Sequence, residues 1–422
     1  MRVRVIVAVS MVALIGAACT GVGPSPDGDD RPAIPTETLL LGTEGGPLVV
    51  SVPRGSVLFD RSGSVASLGG EWVLSALGDG GSTTLRTLDA ATGEVVATDG
   101  PPGELEARVL SESGKAVALT EPLPPGWDPR VPIPKSRTTI VVADPTGVRE
   151  PMTFDLPGNF EPEAFSSDDG KLFLIQHLPA ETPRVYRVTA LDLDRGRVRP
   201  VFGPYKGAPE RMPGIRLQQA ISPVGDQLYT LYSSARPGYV PHGAPASGDA
   251  VVSFVHVLSL GEDWAHCVGL PQSMWDRPSS AQAMAASPDG DRLYVVDGGR
   301  GTVALMDTGS LSVRTASVDL EVLGRIERTT AAMSADGDTL FVATAGEDGS
   351  IVAAIGVDTF EVADRWRLDG AVTGLGLSGD GSRLYAAIGD RVSVLDARTG
   401  EQIGETEVDG TDEVVSVQAI AA

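Results

Sequence analysis

The feature that most constrains what this chain can fold into is a short turn, Ser-x-x-Gly, that recurs along most of its length. An apolar–aromatic pair usually follows it within a few residues. The clearest copies are Ser287-Pro288-Asp289-Gly290 before Leu293-Tyr294, Ser334-Ala335-Asp336-Gly337 before Leu340-Phe341, and Ser378-Gly379-Asp380-Gly381 before Leu384-Tyr385. Ser222-Pro223-Val224-Gly225 and Ser167-Asp168-Asp169-Gly170 extend the series upstream, and Ser111-Glu112-Ser113-Gly114 and Ser67-Leu68-Gly69-Gly70 are weaker copies. The last three clear marks are 47 and 44 residues apart. Between them lie four short alternating runs, for example Gln282–Ala286, Arg292–Asp297, Val303–Asp307 and Val313–Val318. No helical period persists over a useful length.

Four strands every ~40–45 residues predict an all-β chain forming a single β-propeller of four-stranded blades. The segment Ser287–Asp297, followed by Val303–Asp307 and Thr308-Gly309, resembles the YVTN-type β-propeller repeats of bacterial surface proteins. The resemblance is strong over residues 281–408 and fair from 160, while the Gly-His and Trp-Asp marks of WD40 repeats are absent. It implies a fold and no activity. Seven turn marks are visible, and one more period reaches the chain end, so Glu413–Ile420 reads as an innermost strand without its blade. Thr38–Leu41, Leu48–Val52 and Val57–Phe59 read as three strands that lack an innermost partner. Joining the two groups completes an eighth blade and closes the ring between the termini, which removes open sheet edges. Seven blades, the commoner number in such families, is the alternative.

The N-terminus carries an address. Met1-Arg2-Val3-Arg4 is basic, and Val5 to Ala18 is apolar and ends in small residues, the layout of a secretory signal peptide. Ile15-Gly16-Ala17-Ala18-Cys19 resembles the bacterial lipobox, with Gly16 in place of the usual Leu. The resemblance implies cleavage before Cys19 and diacylglycerol on its sulfur, hence an extracytoplasmic protein anchored to the cell membrane by lipid. The expected organisation is a leader over 1–18, a lipidated cysteine and flexible tether over 19–36, and the propeller over 37–422. With Cys19 lipidated no intramolecular disulfide is possible, and Cys267, in an apolar run, reads as a small buried hydrophobe. The net charge of −23 becomes −25 once Arg2 and Arg4 leave with the leader. Such an acidic body argues against nucleic acid as a partner, because that binding depends on neutralising phosphates. No apolar patch is apparent in the sequence, so a monomer is expected.

Antiparallel strands make the connecting loops alternate between the two faces of a propeller. The long insertions here nearly all fall on one face: Glu121–Arg137, His177–Arg184 and Ser233–Asp249 within blades, Pro204–Gly214 and Pro271–Ser280 between them. They hold much of the rarer chemistry, namely Trp127, Lys135, Arg137, Tyr205, Lys206, Arg211, Tyr239, His242 and Trp275. Loops on a rigid scaffold concentrate binding residues, and Trp, Tyr and Arg are the usual anchors. The leading expectation is therefore a binding scaffold for a protein or glycan of the cell envelope, with no cofactor. Aromatic residues would give apolar contact and the Lys and Arg residues would meet acidic groups.

An enzyme reading stands beside it. No nucleophile elbow, zinc spacing or calcium loop is present, and the histidines His177, His242, His256 and His266 are scattered. Glu104, Glu106, Glu161 and Glu163 stand near the starts of innermost strands of neighbouring blades and would rim the central channel. Carboxylates there could hold calcium, as in propellers resembling lactonases, and the alternative expectation is a metal-dependent hydrolase acting in the channel.

Overall fold

The computed structural model describes residues 37–419 apart from 44–45, 53, 61–62, 91, 125–126, 128–130, 205–210, 235–251, 277 and 409–413. The described residues form eight four-stranded antiparallel sheets arranged as the blades of a β-propeller. Numbered by chain order, blade 2 spans residues 64–102, blade 3 106–157, blade 4 159–200 and blade 5 215–269. Blades 6, 7 and 8 span 282–317, 326–368 and 372–407. Blade 1 is composite: Val414–Ala419 is its innermost strand, followed outward by Glu37–Thr43, Gly46–Val52 and Ser56–Asp60.

That composite blade is the closure expected from the strand count. Val414–Ala419 pairs antiparallel with Glu37–Thr43, from Leu39 opposite Ala419 to Thr43 opposite Val414. Leu39, Leu41 and Val414 are inaccessible to solvent, so the seam is a dry contact between the two ends of the chain. Side chains tie it to both neighbours. Glu37 accepts from Arg383 at 3.2 Å and from the Tyr385 hydroxyl in blade 8, and Gln418 donates to the Gly69 carbonyl of blade 2 at 2.7 Å.

The recurring turn works the same way in seven blades. In blade 6 the Ser287 N–H donates to Arg292 O at 2.8 Å, and Gly290 N–H returns to Ser287 O at 2.9 Å. Gly290 adopts φ +77°, a left-handed conformation that glycine enters without a Cβ clash. In blades 4, 6, 7 and 8, whose turns carry an aspartate, the serine hydroxyl donates to it, as from Ser378 to Asp380 at 2.6 Å. In blade 4 the register differs by one from the expected Ser167–Gly170. Ser166 is the capping serine, bonded to Lys171 O, and Asp169 takes the glycine's place at φ +56°. Aspartate tolerates that region because its short polar side chain bonds locally.

In blades 4 to 8 the aromatic residue after the turn enters the core. Tyr229, Tyr294, Tyr385 and Phe173 are fully buried. Each blade is covered on both faces by its neighbours, so inner positions lose the usual alternation: all eight residues of Val252–Ser259 are buried. Cys267 and the strand histidines His256 and His266 are buried as well. Outer strands such as Val313–Ser317 stay largely exposed.

Candidate functional site

Three of the long insertions meet over blades 3, 4 and 5. Asn159, the chain's one asparagine, is buried and donates to Ile133 O at 2.7 Å and to Ala180 O at 3.0 Å. One carboxamide thus fastens the 121–137 insertion to the 177–184 insertion. The Lys135 N–H adds a bond to Ala180 O at 3.2 Å. The third insertion returns through a bridge in which Tyr186 and Met212 exchange backbone bonds.

Under these loops lies a cleft of ≈ 660 Å³, with a rim that includes Val131, Pro132, Pro183 and Ile215. A smaller cavity of ≈ 90 Å³ beside it is lined by Lys135, Arg108 and Asn159 and shares Glu161 and His177 with the larger one. The floor is polar. Arg216 Nη1 lies 2.8 Å from Glu163 Oε2 and Nη2 lies 3.6 Å from Glu161 Oε1, while His177 Nε2 meets Glu161 Oε2 at 3.2 Å. Gln219 donates to the other oxygen of Glu163 at 2.8 Å. His177 stands edge-on to Tyr186, whose ring leads to Tyr232 at 5.5 Å and on to Phe254.

The innermost strands bring these groups together by breaking step. Pairing in blade 4 slips between Pro162 and Ala164, and in blade 5 between Arg216 and Gln218. A bulge leaves one residue outside the ladder and re-aims its side chain. In blade 4 that residue is Glu163, which meets Arg216 from the next blade.

The charges settle accordingly. Burial pushes the Glu163 carboxyl above its ordinary range despite Arg216, because its side chain is only 3% accessible. Burial also opposes ionisation of Glu161, but the bond to His177 and the charges of Arg216 and Arg108 outweigh it, and its carboxyl is held below the ordinary range. Glu161 and Arg216 keep 39% and 40% of their side-chain surface because they line the open cleft, although protein surrounds them on most sides. Glu163 and then Glu161 hold the Arg216 proton more firmly than in water. Burial likewise raises the Tyr232 hydroxyl well above its normal value.

Several sequence candidates fall elsewhere. Trp275 is a correction: it is 2% accessible, and its indole N–H donates to Leu270 O at 3.0 Å. The Pro271–Ser280 insertion folds into two short 3₁₀ turns that tuck the ring inward, so Trp275 is core and not a contact surface. Arg137 is exposed and makes a two-pronged pair with Asp155 at 3.0 and 2.6 Å, so its charge is already met. Trp127 is 36% accessible, with its indole N–H on Val131 O at 2.6 Å. Arg211 is exposed, next to the Met212 bridge. Lys135 lines the smaller cavity. Tyr205, Lys206, Tyr239, His242 and Cys19 lie outside the described residues.

The four carboxylates do not form a ring of free ligands. Glu106 pairs with Arg108 at 3.0 Å, Glu161 and Glu163 share Arg216, and Glu104 is exposed. Among the described residues no group of three His, Cys, Asp or Glu side chains converges as metal ligands would. Arg216 supplies the positive charge that Glu161 and Glu163 face. Arg216, His177, Tyr186 and Tyr232 were missed as site residues. Arg216 alone had a countable signal, a cation at the start of an innermost strand.

A family model described as outer membrane protein assembly factor BamB matches residues 261–422. No curated protein matches the chain. Among solved structures, apo AztD from Citrobacter koseri aligns over 91% of this chain and 98% of its own, at 14% identity and TM-score 0.54. The dihydro-heme d1 dehydrogenase NirN, in complex with DHE, aligns over 93% of this chain and 77% of its own, at 15% identity and TM-score 0.53. What they share with this chain is the fold.

Proposed function

We propose that this chain is an extracytoplasmic, lipid-anchored binding propeller. Its cleft over blades 3–5 takes an envelope protein or glycan that presents an acidic group beside an apolar surface. The observation that carries the reading is the make-up of the cleft. Apolar Val131, Pro132, Pro183 and Ile215 stand beside Lys135 and Arg184, cations with no side-chain partner among the described residues, in a chain of net charge −23. Loops held on a rigid ring, as Asn159 holds these, bind without a large ordering cost. The basic–apolar leader ending at Cys19 supports the anchor, and the likeness of residues 261–422 to an outer-membrane assembly factor supports placement in the envelope.

The test is capture from envelope extracts on immobilised residues 20–422, beside a Trp127→Ala/Lys135→Ala/Arg184→Ala variant of matched thermal stability. A partner held by the first and lost by the second, with retention falling as salt rises, is the expected result. Equal capture by both removes the cleft from the function.

A further inference from the structure

The central cavity bordered by blades 5–8 measures ≈ 810 Å³, within the range of small-molecule sites. Its described lining includes Arg216, Gln218, Gln282, Arg328, Thr330 and Thr373 and no Asp or Glu. In so acidic a chain that lining is a local reversal of charge.

Arg216 and Arg328 each stand six residues before the turn serine, Ser222 in blade 5 and Ser334 in blade 7, but one ladder place apart, Arg216 opposite Tyr232 and Arg328 opposite Ala345. Arg216 finds its counter-charges on the preceding blade, from Glu161 and Glu163, five and three residues before Ser166. In blade 6 the residues five and three before Ser287 are Gln282 and Met284, in a ladder that runs without a bulge. Gln282 donates its amide to Met274 O at 2.7 Å, and Met284 is buried. The lining that blade 6 contributes beside Arg328 thus holds no carboxylate to meet it. Arg328 is half-buried and makes no hydrogen bond or ion pair to any described residue. Two residues on, the Thr330 hydroxyl is also without a partner among the described residues. A guanidinium offers five donors in a planar fork suited to a carboxylate. Each innermost strand is also the edge of its sheet, leaving backbone donors unpaired towards the ring centre.

We infer that the central cavity binds a small organic carboxylate, held by the guanidinium of Arg328. The cavity adjoins the side cleft at Ile215 and Arg216, but Arg328 lines the central cavity alone, so the proposal does not depend on what the cleft binds. Its test is calorimetric titration of the full mature chain with succinate and with citrate at constant ionic strength, beside inorganic phosphate and sodium chloride. A carboxylate should bind with a one-to-one isotherm. Arg328→Gln should raise its Kd at least tenfold, and Arg328→Lys should raise it less. Arg314→Gln on the exposed outer strand of blade 6 and Trp127→Ala at the side cleft should leave it unchanged. Because Arg328 has no described partner, both Arg328 variants should keep the wild-type melting temperature. Absence of carboxylate binding overturns the proposal, as does equal binding by Arg328→Gln. Phosphate binding tighter than either carboxylate overturns the ligand class.

Discussion

Replacing Arg216 by Gln isolates what one cation does for the inter-blade floor. The change strips the counter-charge from Glu163, whose side chain is 3% accessible and keeps only the Gln219 bond at 2.8 Å. Breaking one partner from a buried pair costs about 3–5 kcal/mol where the remaining charge cannot escape. Glu163 has an escape, which is to take a proton. At pH 7 protonating a carboxyl of ordinary pKa costs about 4 kcal/mol, and this sets the ceiling. With Gln219 still donating, we expect a loss of about 3 kcal/mol at pH 7, or about 4 °C in Tm for a domain of this size.

The sign of the pH dependence follows. Without Arg216 the folded pKa of Glu163, already raised, rises further, so the native state binds the extra proton first. Stability then falls as pH climbs from the unfolded carboxyl value of about 4.3 to the folded one. At pH 5 the penalty should shrink to about 1 kcal/mol, since protonation there is cheap. Glu161 also loses the Arg216 charge, but it keeps the His177 bond and the charge of Arg108, so its share of the difference is smaller than that of Glu163. Denaturant unfolding at pH 5 and pH 7 reads both numbers, and Glu163→Gln/Arg216→Gln should flatten the difference. A loss of equal size at both pH values, or none at pH 7, refutes the reasoning.

Other expectations are direct. Trp275→Ala should destabilise by about 3–5 kcal/mol, as for a buried indole, whereas exposed Trp127→Ala should stay within about 1 kcal/mol; denaturant midpoints of the two variants decide it. Deleting residues 414–422 removes the innermost strand of blade 1 and uncovers Leu39 and Leu41, so amides of Glu37–Thr43 should lose most of their protection in hydrogen exchange. Serine hydroxyls and backbone N–H groups hold Asp168, Asp289, Asp336 and Asp380 below the ordinary carboxyl range. Their stabilisation is present above the unfolded value of about 3.9 and is lost as pH falls through the lower folded values. Ser378→Ala should therefore move the Asp380 titration, followed by NMR, upward.

Much of the fold was legible because it is local. A turn whose serine bonds five residues on leaves its mark within a short window, so the blade period could be counted, and so could the strands missing at each end. The blade 4 turn was misread by one residue because Asp169 can enter the left-handed region that the pattern assigned to Gly170. The carboxylates Glu161 and Glu163 were legible as inner-strand residues, and Lys135 as a loop cation near them.

What those carboxylates face was not legible. Glu163 meets Arg216, 53 residues away, only because blade 4 bulges at Glu163 and blade 5 bulges between Arg216 and Gln218, and a bulge leaves no fixed residue type behind. Composition likewise could not separate Trp127 from Trp275, two indoles in Pro-rich insertions. One lies partly in solvent and the other is sealed under 3₁₀ turns, a difference that depends on the blades beneath each loop. The sequence by itself determined the repeat, the four-stranded blade and the strands missing at each end, because short-range hydrogen bonding and alternation specify them. The choice of eight blades over seven was settled by the pairing of Val414–Ala419 with Glu37–Thr43. Which charges are met and which are left open, Arg216 against Arg328, was decided by the tertiary structure, because the partners stand on the neighbouring blade.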